Sequence, residues 1–353
     1  MTNQPSNNPK KHNIKKILLI VLIVFLSLSI LITCTLSLLI YLGKKNMLNS
    51  QNASITAPES IAEVVGDDGR NIIYNGQKYK FNENITSILL IGVDKERFEN
   101  NATDTYGENG QADVLMLLCI DTSNGKTTAI PISRDTMAEV NQYSVNGQYL
   151  GIAKEQICLS YSYGDGREKS CENTVTSVSR MFYGMPINSY IAIDLKAIKI
   201  LNDSIGGVSV TVEEDIDLYG KKLKKGDTVN LKGEYALGYI RSRDDSLMAN
   251  SNRMQRQKNY MQSFYKTVLA KTKQDISTPI KLYNKIFDYK ISNLNIADIS
   301  YLTQCTIKNG INQLNFTSIS GKNVFGEKYV EYYADSQALY DIVVNTFYQP
   351  VAE

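Results

Sequence analysis

Residues Ile17 to Leu42 form 26 consecutive residues without a charge, dominated by Leu, Ile and Val. As a helix the run is about 39 Å long, more than the roughly 30 Å hydrocarbon core of a bilayer. Ser27, Ser29, Thr33, Thr35 and Ser37 interrupt it, but their hydroxyls can bond back to the helix's own carbonyls, so a spanning helix tolerates them. The competing reading is a cleaved signal peptide, which needs an apolar region of about 7–15 residues and a small-x-small cleavage site. Here Tyr41-Leu42-Gly43-Lys44 follows instead, so the expectation is a retained transmembrane helix over 17–42. Lys10, Lys11, Lys15 and Lys16 precede the run, and only Lys44 and Lys45 follow it closely. That asymmetry predicts a single-pass cell-membrane protein with residues 1–16 as a cytoplasmic leader and residues 43–353 outside.

Dividing the chain at the membrane changes the meaning of its charge. The whole carries 38 Lys+Arg against 36 Asp+Glu. Residues 1–16 hold four Lys and no acid, so the remainder is 34 basic against 36 acidic, a net of −2. An outer part of that charge is not a nucleic-acid-binding surface. The one histidine, His12, is in the leader. Ser-His-Asp or Cys-His nucleophilic sites and His-ligated zinc are therefore excluded from residue 13 onward. Chemistry there must use carboxylates, Arg, Lys, Tyr, hydroxyls and a hard metal ion.

Residues 44–68 are Asn/Ser/Ala/Glu-rich without sustained periodicity and read as a stalk. Asn71 to Phe81 reads as a small hairpin turning at Asn75-Gly76, which makes 43–85 stalk plus hairpin and 86–350 the main domain. Ser87–Asp94 and Val114–Ile120 are continuous apolar runs, the pattern of strands buried on both faces. Asn124-Gly125 turns the second back into Thr127–Ser133 as an antiparallel partner. Helices are expected over Lys154–Tyr161, Glu172–Tyr183, Leu195–Ser204, Lys232–Tyr239, Asn250–Lys273 and Asp335–Tyr348. Short strands are expected at Ser189–Asp194, Val208–Val212 and Gln313–Ser320. The mixture predicts α/β: a mixed central β-sheet sandwiched by helices. Cys119 reads as a buried thiol. Cys158 and Cys171 flank a turn-rich stretch, so a disulfide between them is an expectation.

Arginine is scarce, nine against 29 Lys, yet Arg241, Arg243, Arg253 and Arg256 fall within sixteen residues. Guanidinium groups grip phosphate oxygens in a fork that Lys cannot reproduce, so this selective cluster reads as an anion site rather than a solvated face. Arg253 and Arg256, at i and i+3, are expected to share a helix face. Asp94 ends the first buried strand and Asp113 begins the second. In antiparallel neighbours both would lie at one edge of the sheet, where paired carboxylates suit a hard divalent cation bridging protein and phosphate; taken alone, each reads first as an ordinary strand-end residue. Arg134-Asp135 follows the third strand; Asp135 also reads as a helix N-cap paired with Arg134.

The ordered set Leu90-Ile-Gly-Val-Asp94, Ala112-Asp-Val-Leu-Met-Leu117, Pro131-Ile-Ser-Arg-Asp-Thr136, Gly206-Gly-Val, Ala236-Leu-Gly-Tyr-Ile-Arg-Ser-Arg243 and Arg253-Met-Gln-Arg-Gln257 resembles the LytR-CpsA-Psr family. The resemblance runs from about residue 86 to 270, with a tail to about 348 like that family's closing strand and helix. It implies a membrane-anchored, Mg²⁺-dependent phosphotransferase. Such an enzyme moves an anionic glycopolymer, teichoic acid or capsular polysaccharide, from an undecaprenyl diphosphate carrier to peptidoglycan. Carried over by motif, Asp94 and Asp113 would hold Mg²⁺. Arg134, Arg241, Arg243, Arg253 and Arg256 would clamp the diphosphate, with Gln257 nearby and an apolar pocket for the prenyl chain. Asp94 or Asp135 would take the hydroxyl proton. Ala112, Gln156 and Asn250 depart from the family pattern. Two other functions use the same residues: a lipid-diphosphate hydrolase with water as acceptor, and a non-catalytic polyanion-binding or regulatory module.

Overall fold

The computed structural model describes residues 9–49, 55–56, 61–65, 68–96, 98, 106–107, 109–242, 249–308 and 314–351. The apolar run lies inside one helix, Pro9–Asn49. Its stretch Lys16–Leu48 is long and apolar enough to cross a membrane. The hydroxyls of Ser27, Ser29, Thr33 and Thr35 donate to carbonyls three or four residues earlier.

A six-stranded mixed sheet organises the rest, in the order Lys290–Ser292, Ser189–Ile193, Ile85–Val93, Ala112–Asp121, Thr127–Ile132, Leu314–Phe316. The three central strands run antiparallel to their sequence neighbours, whereas Ser189–Ile193 and Leu314–Phe316 pair parallel. The two apolar runs of the sequence are the two middle strands, and side-chain alternation sends successive residues to opposite layers. Leu89, Ile91, Leu115 and Leu117 pack with the helices Glu168–Met181 and Ser336–Phe347. Ile88, Leu90, Met116 and Leu118 face the other layer, which holds the helices Ala249–Gln274 and Ile296–Lys308 and the end of the N-terminal helix. A second core joins the strand pair Val208–Thr211 and Thr228–Leu231 to the helices Leu195–Ser204, Glu234–Arg241 and Ala249–Gln274.

The hairpin at Asn75-Gly76 forms as expected, with both residues at positive φ, 49° and 76°. It is no part of a stalk. Its second strand, Gln77–Phe81, pairs with Tyr348–Pro350, and Ile72, Tyr74 and Phe81 are buried in the main core. Nor does a stalk begin at Lys44: the helix continues to Asn49, and Met47 is buried against Ile88 and Tyr301. Met47, Ile55 and Ala62 are too widely spaced to produce a periodic signal, although all three are buried. The helix expected at Lys154–Tyr161 is also corrected. Tyr149–Gln156 is a strand paired with Met137–Tyr143, and only Leu159–Ser162 is helical. Ala138 and Val140 of the hairpin's first strand are buried, but the apolar residues of the second, Tyr149, Leu150 and Ile152, are exposed, so hydrophobic pattern does not mark that strand as one face of a core. Finally, Cys158 and Cys171 are separate buried thiols. Cys158 turns toward Arg134, while Cys171 lies in the main core.

Gly43 sets how closely the N-terminal helix meets Ile296–Lys308. A Cβ there would lie 2.1 Å from the Ala297 carbonyl oxygen and 2.9 Å from Tyr301 Cβ. Gly43→Val should push the helices apart and lower the thermal unfolding midpoint of the full chain, at a cost of about 1–3 kcal/mol as for other overpacked contacts.

Candidate active site

The site begins with an irregularity in the sheet. Gly92 pairs with Val114 and Val93 with Ala112, so Asp113 is the extra residue of a β-bulge and has no residue opposite. Bulges bend a strand and re-aim a side chain, and here the Asp113 carboxylate joins the cleft at the strand ends. Gly92 permits the arrangement, because a Cβ at this position would come 2.9 Å from Val114 Cβ. Asp94 follows directly after the neighbouring strand. The antiparallel register thus brings both carboxylates to one edge, as expected.

They border an open cleft of about 360 Å³ lined by Gly92, Val93, Asp94, Asp113, Val114, Arg134, Leu195, Ile198, Ile240, Arg241, Arg253 and Gln257. Arg134 ion-pairs with Asp113 and donates to Gln111. Its Nε lies 3.6 Å from Asp135, and it contacts the Cys158 sulfur. Burial lowers the Arg134 pKa, but Cys158, Asp113 and Asp135 together leave it above the ordinary arginine value. Arg253, its side chain only 5 % exposed, sits 4.0 Å from Asp113. Arg241, at the C-terminal end of its helix, donates to Asp94 at 2.9 Å. That pair is 50 % and 43 % exposed. Such a pair contributes about 0–1 kcal/mol, so an incoming phosphate can displace it readily. Gln257 is tied to the Ile240 carbonyl at 3.2 Å.

The sequence-based set is therefore gathered unevenly. Asp94, Asp113, Arg134, Arg241, Arg253 and Gln257 share the cleft. Arg243 lies outside the described residues. Asp135 is not in the lining: its carboxylate meets Arg134, and its carbonyl accepts from Tyr332 at 2.8 Å. The helix N-cap reading of Asp135 is corrected too, since a β-hairpin follows it. Arg256 is likewise corrected. It is buried, pairs with Glu214 and donates to the carbonyls of Tyr239 and Ser242. At about 100° per residue, position 257 lies about 40° from 253 on one side and position 256 about 60° on the other. Gln257 therefore shares the cleft face with Arg253, and Arg256 turns toward the second core. Gln111 and Cys158 were not expected at the site, because only the folded arrangement brings them to Arg134. Burial pushes the Cys158 thiol up to about 11 despite the adjacent guanidinium, so it is a neutral contact and not a nucleophile.

The LytR_cpsA_psr family model matches residues 48–346. The chain belongs to the LytR-CpsA-Psr family. Among family relatives, it is 30 % identical over 181 residues to polyisoprenyl-teichoic acid–peptidoglycan teichoic acid transferase TagU of Bacillus mycoides (strain KBAB4), covering 51 % of each protein. It thus spans about half the length of the first such relatives. With the transferase TagV of Bacillus subtilis (strain 168) it shares 25 % identity over 316 residues, 88 % of this chain and 74 % of that one. The crystal structure of Bacillus subtilis TagV superposes with a TM-score of 0.57 over 74 % of this chain and 95 % of that one, at 23 % identity. The LytR-CpsA-Psr fold is thus shared, mixed sheet and helix layers included.

The surroundings of the arginines and the burial of Cys158 each give a prediction. Arg256→Ala takes the donor from the carbonyls of Tyr239 and Ser242 in a buried site and should cost about 1–3 kcal/mol; Arg241→Ala should leave the thermal unfolding midpoint nearly unchanged. At pH 8 the folded protein should leave Cys158 unalkylated by iodoacetamide, with modification appearing only on denaturation, as read by peptide mass spectrometry.

Proposed function

We propose that the chain is a membrane-anchored phosphotransferase that moves a phosphate-linked glycopolymer from a polyprenyl diphosphate carrier to peptidoglycan. One observation carries this reading: Arg134, Arg241 and Arg253 converge on a cleft that also holds Asp94 and Asp113 and the apolar side chains Leu195, Ile198 and Ile240. Cations suit a diphosphate, and apolar side chains suit the adjoining lipid. The names of the relatives, which specify polyisoprenyl-teichoic acid and peptidoglycan, support the same donor and acceptor classes. The lysine asymmetry around the apolar helix supports a cytoplasmic N-terminus and an outer catalytic domain.

In this mechanism an acceptor hydroxyl oxygen attacks the phosphorus that bears the sugar. The P–O bond between the two phosphates breaks, and prenyl phosphate leaves. Arg134 and Arg253 are held in place before substrate arrives, so they stabilise developing oxyanion charge without reorganising. Arg241 exchanges its solvated partner Asp94 for a phosphate oxygen. Asp94, in the cleft lining, or Asp135, which positions Arg134 from behind, takes the hydroxyl proton. Asp94 and Asp113 also fit Mg²⁺: both are hard oxygen donors at adjoining strand ends, and this ion commonly uses one or two carboxylates plus substrate phosphates. When bound there, it supplies neutralisation of phosphate charge.

The test uses full-length protein in detergent, a prenyl-diphosphate saccharide, and peptidoglycan present or omitted. Transfer should require the acceptor, and Arg241→Ala should reduce it about tenfold to a hundredfold, the loss of one charge-assisted bond. Saccharide phosphate released at the same rate without acceptor would indicate a hydrolase. Undiminished glycopolymer attachment in Asp113→Ala cells would indicate a binding module.

A further inference from the structure

The proposed function leaves a second polar pocket unused. It has a volume of about 320 Å³ and lies where the N-terminal helix meets the body, with Ser37, Tyr41, Lys44, Ser123, Gln304 and Lys308 among its lining. Ser37 and Tyr41 belong to the uncharged run Ile17–Leu42, so in a bilayer the pocket opens at the boundary between acyl chains and headgroups. Tyrosine favours that depth, and lysine places its ammonium just beyond it. Among the described residues neither Lys44 nor Lys308 has a carboxylate within 4.0 Å. The nearby Asp121 carboxylate is occupied by the side chains of Asn82, Ser123 and Asn124 and by the Ser123 amide. Burial raises the pKa of the Cys305 thiol beside the pocket, while Lys308 and Lys44 both act to lower it, so the two cations bear on one place.

We infer that this junction binds the headgroup phosphate of an anionic glycerophospholipid between Lys44 and Lys308, with the lipid's acyl chains along the exposed Leu38 and Leu42 side of the helix. The site rests on the membrane-anchor reading above. A lipid is favoured over a soluble phosphate because the lining continues directly into the membrane-crossing stretch. Binding there would fix the body against the bilayer at the Asp121–Lys126 turn. The diphosphate cleft is at the opposite end of the same strand, where Asp113 lies eight residues from Asp121, about 26 Å at ~3.3 Å per residue. The headgroup site would thus set the distance that the carrier's diphosphate must travel.

Full-length protein in phosphatidylcholine nanodiscs, with or without phosphatidylglycerol, is labelled briefly with an amine-reactive reagent and read by peptide mass spectrometry. Phosphatidylglycerol should slow labelling of Lys44 and Lys308 about fivefold, and Lys45 and Lys126, exposed close by, should change much less. Phosphatidylglycerol should also raise the unfolding midpoint of the native chain but not of the Lys44→Gln, Lys308→Gln double variant. Equal protection of all four lysines would show diffuse surface attraction and overturn the site. Protection by free glycerol phosphate in phosphatidylcholine discs would overturn the lipid assignment. A chain that inserts yet labels identically in both lipids overturns the inference alone, whereas one that does not insert overturns the anchor reading with it.

Discussion

Everything at the cleft depends on the antiparallel register of two strands buried on both faces. Ile85–Val93 and Ala112–Asp121 must pair so that residue 93 meets residue 112, or Asp94 and Asp113 would separate along the sheet. A slip of one residue would also exchange the two apolar faces, each of which is covered by helices, so packing holds the register strongly. The bulge at Asp113 is the single departure in that pairing. Its position gives it a functional sense: the carboxylate leaves the regular ladder where a guanidinium cluster is waiting.

Around that edge the arginines divide by burial. Arg253 and Arg134 are largely enclosed and paired, which favours a fixed orientation over mobility. Arg241 is half-exposed and only lightly tied to Asp94. A site built this way is preorganised on one side and exchangeable on the other, as suits the diphosphate ligand proposed for it. Arg256 looks identical in sequence but is part of the packing. It pins the second core through Glu214 and thereby supports the helix that carries Arg253 and Gln257.

Much of this was legible without coordinates. The buried strands announced themselves as unbroken apolar runs, Asn124-Gly125 marked the turn after the second, and Asn75-Gly76 marked the separate N-terminal hairpin. The helix Leu195–Ser204 matched its expected bounds. What escaped was of three kinds. The strand Tyr149–Gln156 leaves its apolar residues Leu150 and Ile152 exposed, so local pattern could not separate it from a helix. The segment after Lys44 is held by isolated buried residues, which have no periodicity. Gln111 and Cys158 reach Arg134 through contacts 23 and 24 residues apart in the chain, a distance over which sequence carries no directional information.

The amino-acid sequence by itself determined the membrane-length helix, the exclusion of histidine chemistry from the body, the strand cores and the residue types available for phosphate. These are local properties of hydrophobicity, charge and backbone preference. Only the tertiary structure decided which guanidinium groups face the cleft, that Asp113 occupies a bulge, that Cys158 and Cys171 stay apart, and that the N-terminal helix docks through Gly43. Each of those depends on side-chain direction and close approach between distant segments, which the order of residues does not specify until the chain is packed.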